Sequence, residues 1–265
     1  MTDIVKIDIQ DGIAEVQLNR PARKNALSME MFEVLSAVGE RLKVEPGLRA
    51  VVLSGAGGDF CSGLDLEVMQ SQFGKIDELR ERLLNPPDGE AANWFQKPCY
   101  VWQELAVPVI AAVEGVCLGG GMQLALAADF RICSPEARLS VMEAKWGLIP
   151  DMGITQNLPK LLAADRAKEL MMTARVLHGP EAEALGLVTR LADDPLAEAR
   201  ALARDIAARS PEAVNGIKRL VDTTWTMAPG DGLAVEACLQ APIIGAPNQI
   251  EAVMANMQKR PPKFV

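Results

Sequence analysis

A chain of 265 residues, 49% of them hydrophobic, holds enough apolar material for one large α/β domain or two small ones, which excludes a disordered or fibrous protein. Its 27 Lys and Arg against 35 Asp and Glu leave a net charge of −8, so no overall positive field exists to hold nucleic acid or an anionic membrane surface. The single histidine, His178, excludes any mechanism that needs two imidazoles and argues against a His-based metal cluster or a Ser-His-Asp triad. Proton chemistry then falls to carboxylates, Lys, Tyr or Cys.

Val5, Ile7 and Ile9 alternate with polar residues, Asp11-Gly12 is a tight-turn signal, and residues 13–18 resume an extended apolar pattern, which predicts a β-hairpin. After the loop NRPARKNA, Ser28 can cap a helix whose apolar positions Met31, Leu35, Val38 and Leu42 recur at helical spacing, ending before Glu45-Pro46-Gly47. Residues 50–54 read as a buried strand running into GAGGDFCSG, and 109–113 as another running into EGVCLGGG and a helix over 122–128. Residues 130–133 and 139–141 read as short strands. Everything after Pro195 is helical in pattern, so a β-rich core precedes a helical end. Between them, residues 67–103 hold a charged helical stretch and the aromatics Trp94, Phe95, Tyr100 and Trp102, which either line a pocket or pin a peripheral helix pair by packing.

Cys61, Cys99, Cys117, Cys133 and Cys238 are odd in number and contain no C-x-x-C pair, the pattern of buried, reduced thiols in a cytoplasmic protein. The start, MTDIVKIDIQ, carries no basic region followed by an apolar one, and the apolar stretch 105–113 is broken by Pro108 and falls short of a membrane span. The expectation is a soluble cytoplasmic chain with no nucleic-acid or membrane partner.

Two strand, glycine loop and helix units suggest one composite site. Neither loop fits a nucleotide motif, since no G-x-x-x-x-G-K-[ST] is present and no G-x-G-x-x-G follows either strand. Gly119-Gly120-Gly121 before a helix can instead aim backbone N–H groups at a developing oxyanion, or simply make a tight turn. Gln123, three residues after Gly120, projects from the same face of the first helical turn. Glu143 follows a short strand and Asp151 lies eight residues later in GLIPDMG, close enough in sequence to return to one cavity and move a proton there.

LNRPARKNALS, FCSGLDL, PVIAAVEGVCLGGGMQLALAADFRIC, and the stretch from VMEAKWGLIPDMGITQNLPKLL to HGPEAEALGLV together resemble the enoyl-CoA hydratase/isomerase, or crotonase, family from about Val5 to about Ala192. The resemblance implies an α/β fold in which a spiral of ββα units, residues 1–194, carries an acyl-CoA site. It further implies a helical region, 195–265, that trimerises, giving a homotrimer or a dimer of trimers. It implies acyl-CoA as substrate, coenzyme A being carried by the substrate and no metal or redox cofactor being needed. By the same resemblance the thioester oxygen accepts N–H bonds from Leu64 and Gly120, while Arg23, Lys24, Ala26, Ser62 and Asp65 border the CoA. Lys259, Lys263 and Phe264 match a tail that reaches a CoA in some members, or form a basic solvated tail.

One position departs from the family pattern. Hydratases of the family carry Glu two residues after the glycine triplet and a second Glu after the next strand; here these are Gln123 and Glu143. An amide holds water but takes no proton at neutral pH, so the resemblance implies an enoyl-CoA isomerase more than a hydratase. Glu143 then serves as acid and base, with Asp151 as catalytic partner or as a shaper of its loop, and Gln123 orients. A weakly catalytic acyl-CoA binder and other family reactions, C–C cleavage or thioester hydrolysis, stand as alternatives. Met69, Trp94, Phe95 and Trp102 are candidates to close the acyl pocket.

Overall fold

The computed structural model describes residues 4–71 and 74–265. The hairpin forms as expected: β1 (Val5–Gln10) and β2 (Ile13–Leu18) pair antiparallel with Gln10 opposite Ile13, and both turn residues take positive φ, Asp11 at 50° and Gly12 at 76°. Ser28 caps α1 (Met29–Lys43), its Oγ accepting the Met31 N–H at 3.2 Å, and the stripe Met31, Leu35, Val38 and Leu42 is buried. There follow β3 (Ala50–Gly55), α2 (Leu66–Ser71), α3 (Ile76–Leu84), α4 (Lys97–Gln103), β4 (Val109–Val113), β5 (Val116–Leu118), α5 (Gly120–Ala127), β6 (Phe130–Cys133) and β7 (Arg138–Ser140). The chain continues through α6 (Leu158–Leu161), α7 (Ala164–Thr173), β8 (Leu177–His178), α8 (Gly179–Ala184) and β9 (Arg190–Leu191) to α9 (Pro195–Ala207), α10 (Pro211–Thr224), α11 (Pro229–Gln240) and α12 (Pro247–Met257).

A six-stranded sheet runs β1-β2-β3-β4-β6-β9, parallel throughout except for the hairpin, and a smaller ladder runs β5-β7-β8. Isolated bridges Leu27 to Leu64 and Cys61 to Cys117 extend the pattern of the smaller ladder, so successive turns of the chain place one strand in the large sheet and a second segment beside the ladder. This is the ββα spiral. The near-continuous apolar runs AVVLSG and VIAAV are what strands buried on both faces require. One face, through Val51, Leu53, Ala111 and Val113, joins the core beneath α1 and α5. The other, through Ala50, Val52, Ile110 and Ala112, is covered by Ala199 and Ala203 of α9, small residues that let the helix approach the sheet.

Three short strands escape a pattern reading. β5 lies inside EGVCLGGG, between Gly115 (φ 55°) and Gly119 (φ 53°), and at three residues is too short to show alternation; β8 and β9 have two residues each. The aromatic segment packs against α1. Phe32 of α1 stacks on Trp94 with centroids 5.1 Å apart, Phe95 meets Trp94 edge-on at 5.0 Å, and wholly buried Trp102 donates Nε1–H to Pro98 O at 2.8 Å. Lys97 clamps the same region, pairing with Glu40 at 2.6 Å and Glu90 at 2.8 Å. The Met69 side chain lies outside the described residues.

At the C-terminal end, the Lys218 ammonium of α10 contacts both Asp129 carboxylate oxygens at 2.7 and 2.6 Å, and Asp129 also accepts the Val109 N–H at 2.7 Å. That bond ties α10 to the start of β4. Beside it lies a cavity of about 460 Å³ lined by Phe130, Leu161, Val221 and Trp225. The tail is pinned, Val265 N–H donating to Asn248 and Lys263 N–H to Glu251 of α12, with Phe264 under Arg49 at 5.7 Å. Arg49 precedes β3, so within the protomer this tail sits at the opposite end of that strand from the loop that carries Leu64. No helix among the described residues is long and apolar enough to cross a membrane.

Candidate active site

The two glycine loops meet. Leu27 N–H donates to Gly63 O at 2.8 Å and Asp65 N–H to Leu27 O at 3.0 Å, so the amide of Leu64, between those two residues, turns away from Leu27. A Cβ added to Gly63, whose φ is 90°, would stand 2.7 Å from Leu118 O and 3.6 Å from the Gly120 nitrogen. Close approach of the two backbones therefore requires glycine there. Gly119 (φ 53°, ψ −124°) makes the turn into α5, whose every residue is buried, and Gly120 follows as the first helical residue with its N–H beyond the reach of an intrahelical acceptor. The Leu64 and Gly120 amides thus lie on adjoining segments, the second at the positive end of a helix.

Glu143 opens a one-turn 3-10 segment after β7 and is 9% exposed. It lies beside the same turn: a Cβ on Gly119 would be 3.6 Å from Glu143 Oε1. That oxygen accepts Gln123 Nε2–H at 2.6 Å, and the Gln123 carbonyl in turn accepts the Met152 N–H at 2.8 Å. Glu143 Oε2 is buried with no hydrogen-bond partner. Desolvation dominates at this carboxyl and pushes it above the usual range, opposed by the Gln123 bond and by its own backbone N–H, and assisted by the negative charge of Asp151. A buried carboxylate with one oxygen fixed and the other unpaired is poised to take up a proton.

Asp151, the neighbour of Met152, is solvent-exposed in the protomer although atoms crowd its loop; that crowding pushes its carboxyl up, opposed by its own backbone N–H. The structure thereby gathers Leu64, Gly120, Gln123, Glu143 and Asp151 around one place. Met152, which no motif flagged, joins them through its amide and through a thioether packed against Gly120. The signal for it was present only as a bulky apolar residue between Asp151 and Gly153 (φ 88°).

The remaining candidates form a rim on the far side of Leu27. Ser62 N–H donates to Lys24 O at 2.9 Å, Lys24 pairs with Asp59 at 3.3 Å, and half-exposed Arg23 pairs with Glu67. Asp65 and Ala26 face inward: Asp65 is 6% exposed, bound to Arg20 at 3.0 Å and to the Glu67 N–H at 3.2 Å, while Ala26 O accepts from Arg20. These two brace the loop, and the Arg23 and Lys24 head groups are its open cations. His178 is exposed at the start of α8 and has no part in the cluster.

The family model described as Enoyl-CoA hydratase/isomerase matches residues 8–265. Mitochondrial methylglutaconyl-CoA hydratase of Mus musculus is 33% identical over 264 residues, covering 96% of this chain and 79% of that protein. Peroxisomal Delta(3,5)-Delta(2,4)-dienoyl-CoA isomerase of Arabidopsis thaliana is 31% identical, covering 99% and 96%. Among solved structures, an enoyl-CoA hydratase from Bacillus anthracis superposes with a TM-score of 0.88 at 31% identity, covering 98% of each chain.

Proposed function

The chain belongs to the enoyl-CoA hydratase/isomerase family, and from that premise we propose that it shifts a carbon–carbon double bond in an enoyl-CoA thioester, with Glu143 as the acid and base. The observation that carries this reading is the Glu143 carboxylate beside the Gly119–Gly120 turn, its Oε1 held by the Gln123 amide and its Oε2 buried and unpaired. With a 3-enoyl thioester, Glu143 takes a proton from C2, and the electron pair delocalises onto the thioester oxygen. The Leu64 and Gly120 N–H groups stabilise that oxyanion, donors fixed before reaction supplying about 3–4 kcal/mol each by comparison with similar sites. Protonated Glu143 then returns the proton to C4, leaving the double bond between C2 and C3 and the carboxylate regenerated. Every proton is accounted for without water.

Asp151 serves as a partner that receives or supplies a proton farther along the chain, its charge felt at Glu143. Arg23 and Lys24 meet the CoA phosphates by exchanging their present carboxylate partners, so a net charge of −8 is no bar to an anionic substrate. Apolar residues exposed on α10 to α12, among them Ile217, Leu233, Ile250 and Met254, support a homotrimer or dimer of trimers. The cysteines are all free, which fits a reducing compartment such as the cytoplasm.

A second reading, hydration, is favoured by relatives named as hydratases, and Gln123 can hold a water in place of a carboxylate. Incubation with 3-enoyl-CoA and with 2-enoyl-CoA, followed by chromatography, separates the two. Isomerisation without hydration, abolished by Glu143→Gln, supports the first. Rapid hydration that survives Glu143→Gln overturns it, and acyl-CoA binding with no deuterium entering the α-carbon from heavy water would leave a binder.

A further inference from the structure

We propose that Met152 is a positioning residue, locking the carbonyl-binding turn and the proton-moving carboxylate into one frame; this rests on the reaction assigned above. Its amide acts on one half of the site. The Met152 N–H donates to Gln123 Oε1 at 2.8 Å, which requires the Gln123 carbonyl to face Met152 and so turns the Nε2 donor toward Glu143 at 2.6 Å. With the amide reversed, both bonds would be lost, so this backbone group fixes Gln123 as a donor to Glu143.

Its side chain acts on the other half. Met152 is 6% exposed, and its Sδ lies 2.8 Å, its Cε 3.7 Å, from where a Cβ on Gly120 would stand, with Leu27 Cδ1 3.0 Å from the same point. Gly120 is gripped between a thioether and a leucine, and the grip sets where its N–H points. Gly153 (φ 88°) and buried Ile154 follow Met152 directly in the chain. Both the donor to the thioester oxygen and the base for the α-proton therefore take their positions from one residue, which packs on the first and reaches the second through Gln123.

Kinetics of Met152→Ala, which keeps the N–H and empties the space under Gly120, test the side-chain half. The expected result is kcat lowered about 10–100-fold with KM within about threefold, since sub-ångström displacement acts on the transition state more than on binding. Met152→Leu, nearly equal in volume, recovers kcat to within about threefold of the wild type. Ile132→Ala, a cavity variant in β6 on the α9 side of the sheet, controls for lost stability and keeps its kcat per folded molecule. Hydrogen–deuterium exchange by mass spectrometry gives a readout without turnover: peptides covering 118–124 exchange at least about tenfold faster in Met152→Ala and unchanged in Ile132→Ala. The proposal is overturned if Met152→Ala stays within threefold of wild-type kcat, if Met152→Leu is as slow as Met152→Ala, or if exchange over 118–124 does not move. A wild-type protein that neither isomerises, hydrates nor washes deuterium into hexanoyl-CoA sinks the assigned reaction instead, and the exchange experiment still decides whether Met152 holds the two elements.

Discussion

Gln123 donates its amide proton to Glu143 at 2.6 Å, so the Gln123 side chain is a fixed donor to that carboxylate. A Glu at 123 would bring two carboxylates to that separation, where one proton must be shared and the second ionisation is driven up. Gln123→Glu is therefore expected to move the acid limb of the kcat profile to higher pH and to slow isomerisation at low pH. It is also expected to raise hydration of 2-enoyl-CoA by at least about tenfold, because two carboxylates can activate water. Parallel pH profiles of both reactions check this; an unmoved acid limb would show that the 123 side chain does not face Glu143 in solution.

Glu143→Gln should separate activity from stability. Loss of the base lowers kcat by about 10²–10⁴. The same change removes a buried carboxylate whose second oxygen has no partner, and a gain of about 0.5–2 kcal/mol is expected near neutral pH. The sign follows from burial raising this carboxyl in the fold. Below the ordinary carboxylate range both folded and unfolded forms keep the proton and the wild type loses nothing; as pH rises through the raised folded value, its stability falls relative to the variant. Melting temperatures from pH 4 to 8 should diverge upward in favour of Glu143→Gln, and a constant offset would refute the linkage.

Gly63→Ala probes the seam between the two loops. Its φ of 90° is strained for alanine, and the new Cβ would meet Leu118 O at 2.7 Å, a backbone atom that cannot step aside cheaply. A loss of about 1–3 kcal/mol is expected. The Leu64 N–H would be displaced with it, so kcat per folded molecule should fall as well. Denaturant melts alongside kinetics decide between strain alone and strain that reaches the oxyanion donors.

Much of this architecture is legible in the sequence because the relevant signals are local. Asp11-Gly12 sets the hairpin turn, Ser28 caps α1, and the apolar runs of β3 and β4 announce strands buried on both faces. Leu64, Gly120 and Glu143 were marked by their motifs, and the fold brings their segments together. Met152 was illegible, since its hold on Gly120 and Gln123 joins residues 32 and 29 positions away through space and leaves no periodic trace. Asp65 lies inside a recognisable motif, but the pairing of its carboxylate with Arg20, 45 residues earlier, leaves no local trace. For the aromatic run 94–102, Phe32 supplies a stacking partner for Trp94 from 62 residues earlier, a contact that no local pattern announces.

The paired state of Arg23 and Lys24 bears on CoA recognition. Each cation already has a carboxylate neighbour, Glu67 and Asp59, so binding phosphate exchanges one partner for another, and the net gain is modest. Arg23→Ala combined with Lys24→Ala should raise KM for an acyl-CoA about three- to tenfold while leaving KM for the corresponding acyl-pantetheine thioester, which lacks the nucleotide, unchanged. Glu67→Gln should act in the reverse direction, lowering KM for the CoA ester by freeing Arg23. Equal effects on both thioesters would move the phosphate site elsewhere.

The last expectation concerns α10. Ile217 (62% exposed), Val221 (43%) and Trp225 (62%) recur every four residues, forming one apolar stripe along the helix that borders the 460 Å³ cavity and leaves water to cover it in a lone protomer. Burying such side chains is worth about 1.5–3 kcal/mol each, enough for three of them per protomer to hold an assembly together. Sedimentation velocity should therefore find a trimer or larger species. Val221→Asp with Trp225→Asp should shift it to protomers whose circular dichroism is unchanged, because neither residue belongs to the buried core that the Lys218–Asp129 pair fastens. A wild-type protein that sediments as a protomer at micromolar concentration would leave the stripe without the partner argued for it.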